Sequence, residues 1–146
     1  MTALFEHSPW VEARADAAPS SGDRHADLMA VVHAATQGEQ LALIRAHPEL
    51  AGKAAVDGTL TEASAAEQAS AGLDRLTQAE FDRFHALNAA YRARFDFPFI
   101  ICVRLTDKAG ILAAMERRLE NGREAEIATA IAQIGEIVRL RLEQAA

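Results

Sequence analysis

Apolar residues in this chain recur mostly at three- and four-residue spacing, the period of a helix packed on one face. The longest run is C-terminal. Ile127, Ile131, Ile134, Val138 and Leu142 form one stripe and predict a helix from about Glu124 to Glu143. Phe81, Phe84, Asn88, Tyr91 and Phe95 share a second stripe, opened by the capping-box pattern Thr77-Gln78-Ala79-Glu80 and stopped by Pro98. Ser64-Ala65-Ala66-Glu67 has the same capping spacing, with Gly72 as the stop. Asp107 is placed to cap a helix through Ile111, Leu112, Met115 and Leu119 that closes at Asn121-Gly122.

The N-terminal half is more broken. Ser8-Pro9-Trp10 reads as a helix start with Ser8 as the cap, and residues 17–23 read as a loop. A helix is expected from about Asp27 to Thr36, ended by Gly38, and a short one carries Leu41, Ile44 and Arg45 into His47. Proline disfavours helical geometry in the residue before it, so the His47-Pro48 step puts His47 at a helix end or just past it. Residues 53–60 are weakly patterned, with a turn signal at Asp57-Gly58. Phe97 to Val103 is short, apolar and β-branched, and reads as an extended buried segment. The sum is an all-α, single-domain bundle of roughly six to eight helices over residues 1–146.

Composition sharpens this picture. The chain has 146 residues, half of them hydrophobic, which suffices for one real core. Net charge is −6 and no block of Lys or Arg stands out, which argues against nucleic acid and against an anionic membrane surface. A single cysteine leaves no internal disulfide and no cysteine-based zinc site. With no charged start followed by an apolar run, and no apolar run long enough to span a bilayer, the expected location is cytoplasmic.

Each candidate for chemistry has a plainer reading beside it. His47 is either a cationic partner of a helix C-terminus or a general acid/base with a pKa near neutrality. Glu67 is either the capping partner of Ser64 or a carboxylate that steadies an imidazolium. Gln68 is either a solvated helix residue or an amide for a urea or imide edge. The Phe97–Val103 side chains read as core, but backbone groups in such a segment need partners and can bind a planar polar ligand. Cys102 in that run reads as an inert buried thiol. Arg139 and Arg141 point in different directions on one helix, so at most one enters a given pocket, and Arg104 is the third arginine beside an apolar segment. His7, His25, His33 and His85 show no metal-ligand spacing, and there is neither a glycine-rich phosphate loop nor a Gly-x-Ser-x-Gly elbow.

Six segments in order carry a resemblance: F5-E6-H7-S8-P9-W10-V11, L43-I44-R45-A46-H47-P48-E49-L50-A51-G52-K53, S64-A65-A66-E67-Q68-A69-S70-A71-G72-L73, L87-N88-A89-A90-Y91, F97-P98-F99-I100-I101-C102-V103-R104 and I137-V138-R139-L140-R141-L142. Over nearly its whole length the chain resembles the OHCU decarboxylases, which convert 2-oxo-4-hydroxy-4-carboxy-5-ureidoimidazoline to (S)-allantoin at the end of urate degradation. The resemblance implies an all-α fold, a homodimer, a small ureidoimidazoline substrate, and no metal or organic cofactor. It implies His47 as the catalytic acid/base and Glu67 as its carboxylate partner. It implies a substrate surface of Pro48, Ser64, Gln68, Arg141 and the backbone of Phe99, Ile100, Ile101, Cys102 and Val103. Asp96 stands where that family usually has glycine before Phe-Pro-Phe. A helical binding or scaffold module without chemistry is the rival, and predicts that His47, Glu67 and Arg141 do not converge.

Overall fold

The computed structural model describes residues 4–5, 7–51, 58 and 60–145. Among these are seven α-helices and no strand: α1 (Trp10–Ala17), α2 (Arg24–Ala34), α3 (Gln37–Arg45), α4 (Glu62–Ser70), α5 (Gln78–Phe95), α6 (Lys108–Arg118) and α7 (Arg123–Ala145). A 3₁₀ turn, Val103–Leu105, lies between α5 and α6. The all-α architecture follows the sequence reading. None of the described helices is long and apolar enough to cross a membrane.

Helix α7 is the spine. It packs against α2 and α3, while α5 packs on α6 and α4 on the 3₁₀ turn. Its stripe of Ile127, Ile131, Ile134 and Val138 is buried as the spacing requires, and each such side chain contributes about 1.5–3 kcal/mol. Where α2 crosses α7, a Cβ on Gly135 would stand 3.2 Å from the Met29 methyl, so glycine sets the close approach. His25 Nε2 donates to the Gly135 carbonyl at 2.9 Å beside that contact. The α5 stripe supplies Phe84, Tyr91 and Phe95 to the core. Tyr91 lies edge-on to Phe97 and Phe99, with ring centroids 5.9 and 5.3 Å away.

Several helix starts differ from the sequence expectation, each for a local reason. Ser8 does not cap α1. Pro9 occupies the cap position with no side-chain hydrogen bond, and Ser8 is buried and receives the Val11 N–H on its carbonyl instead. Helix α2 starts at Arg24 rather than Asp27, because Asp23 accepts the Ala26 N–H and Asp27 turns back to bind Ser21 in the preceding loop. Gly38 breaks nothing. It lies in the first turn of α3, which Thr36 and Glu39 open with a reciprocal capping box. The Ser64–Glu67 capping box does not form either. Thr61 caps α4 by accepting the Ser64 N–H, which places Ser64 and Glu67 inside the helix rather than at its start. The Thr77–Glu80 box forms as expected.

Helix α5 ends at Phe95, ahead of Pro98, and the stop is Asp96 in left-handed geometry at φ 62°. Aspartate tolerates that region better than most side-chain-bearing residues. Arg45 holds it from both sides, donating Nε–H to the Asp96 carbonyl and pairing with its carboxylate at 3.0 Å. The turn before Phe-Pro-Phe is thus made without glycine. Phe97 to Cys102 is extended or irregular and almost wholly buried, whereas Val103 already begins the 3₁₀ turn. Gly58 has φ +71°, a turn conformation, while Asp57, Gly52 and Lys53 lie outside the described residues.

Candidate active site

Three segments remote in sequence enclose one cleft: the end of α3 with its following loop, the inner face of α4, and the Phe99–Arg104 run, closed by the C-terminal part of α7. The cleft holds about 500 Å³ of empty space counting its mouth, a size suited to a small molecule. All eleven site residues implied by the resemblance line it: His47, Pro48, Ser64, Glu67, Gln68, Phe99, Ile100, Ile101, Cys102, Val103 and Arg141. The rival prediction, that His47, Glu67 and Arg141 stay apart, fails.

His47 sits just past α3, after the capping residue Ala46. Its Nδ1 lies 2.9 Å from the Leu43 carbonyl. A carbonyl only accepts, so Nδ1 carries a proton and Nε2 is the atom through which the ring gains or loses one. The contact also fixes the ring against its own helix end. The loop behind it is tied down from the α4 and α5 sides. Gln68 Oε1 accepts the N–H of Ala51, itself left-handed at φ 52°, and Asn88 donates to the Leu50 carbonyl at 2.9 Å.

The charged centre is a two-pronged ion pair. Arg141 Nε and Nη2 donate to the two oxygens of Glu67 at 2.8 and 2.7 Å, joining α7 to α4 across 74 residues of sequence. Arg141 Nη1 also reaches the Leu4 carbonyl, so the N-terminal segment braces the same guanidinium. Both partners are largely buried, at 3% and 12% side-chain exposure. Such a fork fixes orientation as well as charge. Glu67 therefore reaches the site as the partner of Arg141, in the same cleft wall as His47. Arg139, two residues earlier, is outside the cleft and pairs with Glu136 and Glu143 along its own helix.

Burial pushes the Cys102 thiol above its ordinary pKa, reinforced by Glu67 and Glu136 and opposed by the Arg104 backbone and charge. Among the described residues no cluster of three or more His, Cys, Asp or Glu is arranged to hold a metal ion.

Behind the Phe99–Val103 wall lies a set of residues the sequence did not single out for function. Arg118 donates Nη1–H to the Ile100 carbonyl at 2.7 Å and Nε–H to Glu126 at 2.8 Å. Tyr91 and Asn121 also donate to Glu126, which is completely buried. Burial first, then the Glu126 carboxylate, push the Tyr91 phenol well above its usual pKa. Gln133 accepts the Cys102 N–H at 2.8 Å. One signal was available: a phenol on a buried stripe needs a polar partner. Nothing in the spacing said that Glu126 would be that partner.

The profile of the OHCU decarboxylase family matches residues 1–143. A protein of Haloferax volcanii named 2-oxo-4-hydroxy-4-carboxy-5-ureidoimidazoline decarboxylase is 39% identical over 144 residues, covering 97% of this chain and 83% of its own. One of the same name from Halalkalicoccus jeotgali is 42% identical, covering 97% and 80%. The solved structure of an (S)-allantoin synthase superposes with a TM-score of 0.70 at 30% identity. It takes in 97% of this chain, which spans 46% of that one. With the family pattern running through both walls of the cleft, this chain belongs to the OHCU decarboxylase family.

Proposed function

We propose that this chain decarboxylates 2-oxo-4-hydroxy-4-carboxy-5-ureidoimidazoline to (S)-allantoin, without a cofactor. The observation that carries the reading is the convergence of His47, Glu67 and Arg141 in one small-molecule cleft. The names of the relatives support it.

The chemistry asks little of a protein beyond placement. The bond from the ring carbon to its carboxylate breaks and CO₂ leaves. The released electron pair forms a C=C bond to the neighbouring ring carbon, and the π pair of the adjacent C=N moves onto nitrogen, which takes a proton. The resulting enol then ketonises. Its hydroxyl proton departs, and a proton adds to the ring carbon that bears the ureido group. The substrate thus supplies its own electron sink.

The protein's part is orientation, charge and one directed proton. His47, with Nδ1 fixed on the Leu43 carbonyl, delivers that proton through Nε2. Delivery to one face sets the S configuration. The Arg141 fork holds positive charge beside the substrate's developing negative charge. Glu67 keeps the guanidinium aimed and adds negative charge to the wall that His47 shares. Pro48, Ser64, Gln68 and the Phe99–Val103 backbone shape the remaining surface. A homodimer and a cytoplasmic location complete the reading and rest on the family resemblance and composition alone.

The direct test adds freshly generated substrate and follows the ellipticity of (S)-allantoin. Appearance of the S enantiomer faster than in buffer is expected. Formation of racemic product at the buffer rate overturns the reading.

A further inference from the structure

Ile101 lies between two trans peptides whose outer groups are both held from outside the cleft lining. Arg118 Nη1 is bonded to the carbonyl of the Ile100–Ile101 peptide, and Gln133 Oε1 to the N–H of the Ile101–Cys102 peptide. No peptide bond here is cis. In a trans peptide the C=O and N–H point in opposite directions. Anchoring the Ile100 carbonyl on Arg118 therefore turns the Ile101 N–H away from Arg118. Anchoring the Cys102 N–H on Gln133 turns the Ile101 carbonyl away from Gln133. Ile101 lines the cleft, neither anchor does, and among the described residues no protein group is bonded to the Ile101 N–H or C=O.

We propose that Arg118 and Gln133 are positioning residues that present the Ile101 N–H and C=O to the cleft as one donor–acceptor pair. The pair selects ligands carrying an N–H beside a C=O, as cyclic ureides and ureido groups do. The ligand class rests on the function proposed above, while the peptide orientation stands on its own. The anchors are stiff. Arg118 is held by Glu126, which Tyr91 and Asn121 also bind, and its Cζ lies 4.3 Å from the Phe99 ring centroid. Gln133 sits on α7, the helix that also carries Arg141. One helix therefore positions the cleft's guanidinium and its backbone wall together. Each anchor sets one peptide plane, so a misplaced plane costs the one ligand hydrogen bond that it carries.

The test uses the whole chain and hydantoin, a five-membered cyclic ureide, with its N,N′-dimethyl derivative as the probe lacking a donor. Calorimetry is expected to show hydantoin binding to the wild type and the dimethyl compound binding at least about tenfold more weakly. Gln133→Met, which keeps length but drops the acceptor, should weaken hydantoin about tenfold with a thermal midpoint within a few degrees of wild type. Gln133→Glu, which keeps an oxygen opposite the Cys102 N–H, should recover most of that loss. Arg118→Lys, which keeps the charge facing Glu126 but loses the fork, should behave like Gln133→Met. If Arg118→Lys fails to fold, the two Gln133 variants decide. Equal binding of the two probes, hydantoin binding untouched by Gln133→Met, no recovery in Gln133→Glu, or no hydantoin binding to the wild type would overturn the proposal. Wild-type turnover of the ureidoimidazoline, measured alongside, reports separately on the proposed function.

Discussion

Among the described residues are two buried arginine–glutamate pairs, and they are built differently. Glu126 has no exposed surface and receives Arg118, Tyr91 and Asn121, so its acceptor capacity is spent inside the protein. Glu67 receives one guanidinium, and the pair it forms with Arg141 lies in the cleft wall. The first pair joins residues 8 apart across a helix corner, and the second joins residues 74 apart. A buried charge surrounded by donors is a structural joint. A buried charge pair with one side on a cavity is available to a ligand. The same two residue types thus form a closed interior joint in one place and part of a cleft wall in the other.

The sharpest break between the two regions comes from His47→Asn. Loss of a general acid should cut turnover by about 10²- to 10⁴-fold while circular dichroism and the thermal midpoint stay near wild type. Near-normal turnover in the folded variant would remove His47 from the chemistry. The counterpart at the structural joint is Arg118→Met. It leaves Glu126 charged and buried without its cation, so chemical denaturation should show a loss of about 3–5 kcal/mol. A loss below about 1 kcal/mol would mean that Tyr91 and Asn121 suffice to hold Glu126.

Arg141→Lys probes the open pair. An ammonium keeps the charge but cannot grip both Glu67 oxygens, so kcat/KM should fall by about 10- to 100-fold. Arg139→Lys, on the solvent side of the same helix, should be silent, and the reverse pattern would place the site on the other face of α7. Glu67→Gln removes a negative charge from the wall that His47 shares. Thr61 caps α4, so the cap is untouched. Loss of a nearby negative charge lowers an imidazole pKa, and the limb of the pH–rate profile set by His47 should move to lower pH. An unchanged profile with an unchanged rate would confine Glu67 to holding Arg141. The smallest effect is expected from Asp96→Gly. The Asp96 side chain is 85% exposed, so its bridge to Arg45 is worth little, and glycine is at ease at φ 62°. Thermal denaturation should show a change within about 1 kcal/mol.

The helices with long apolar stripes were legible because a 3.6-residue period states which face is buried without reference to any partner. The α5 and α7 stripes and the Asp107 cap of α6 needed no tertiary information. The capping signals at Ser8 and Ser64 misled for one reason. A serine side chain suits a helix start locally, but both residues are buried in the folded chain, and Pro9 and Thr61 hold the cap positions instead. Gly38 misled because glycine's weak helix preference counts for little in a first turn already closed by Thr36 and Glu39.

The sequence alone determined the helical class, since periodicity is a local property, and its resemblance to a family pointed to the residues and segments that line the cleft. Tertiary structure decided which carboxylate meets which cation. Glu67 could have capped its helix, and Glu126 reads as an ordinary first-turn acid of α7. Desolvation makes an unpaired buried charge too costly to keep, so burial forces each carboxylate onto the donors that the packing of α4, α5, α6 and α7 brings within reach. That selection acts through distances across the core, and spacing along the chain does not contain them.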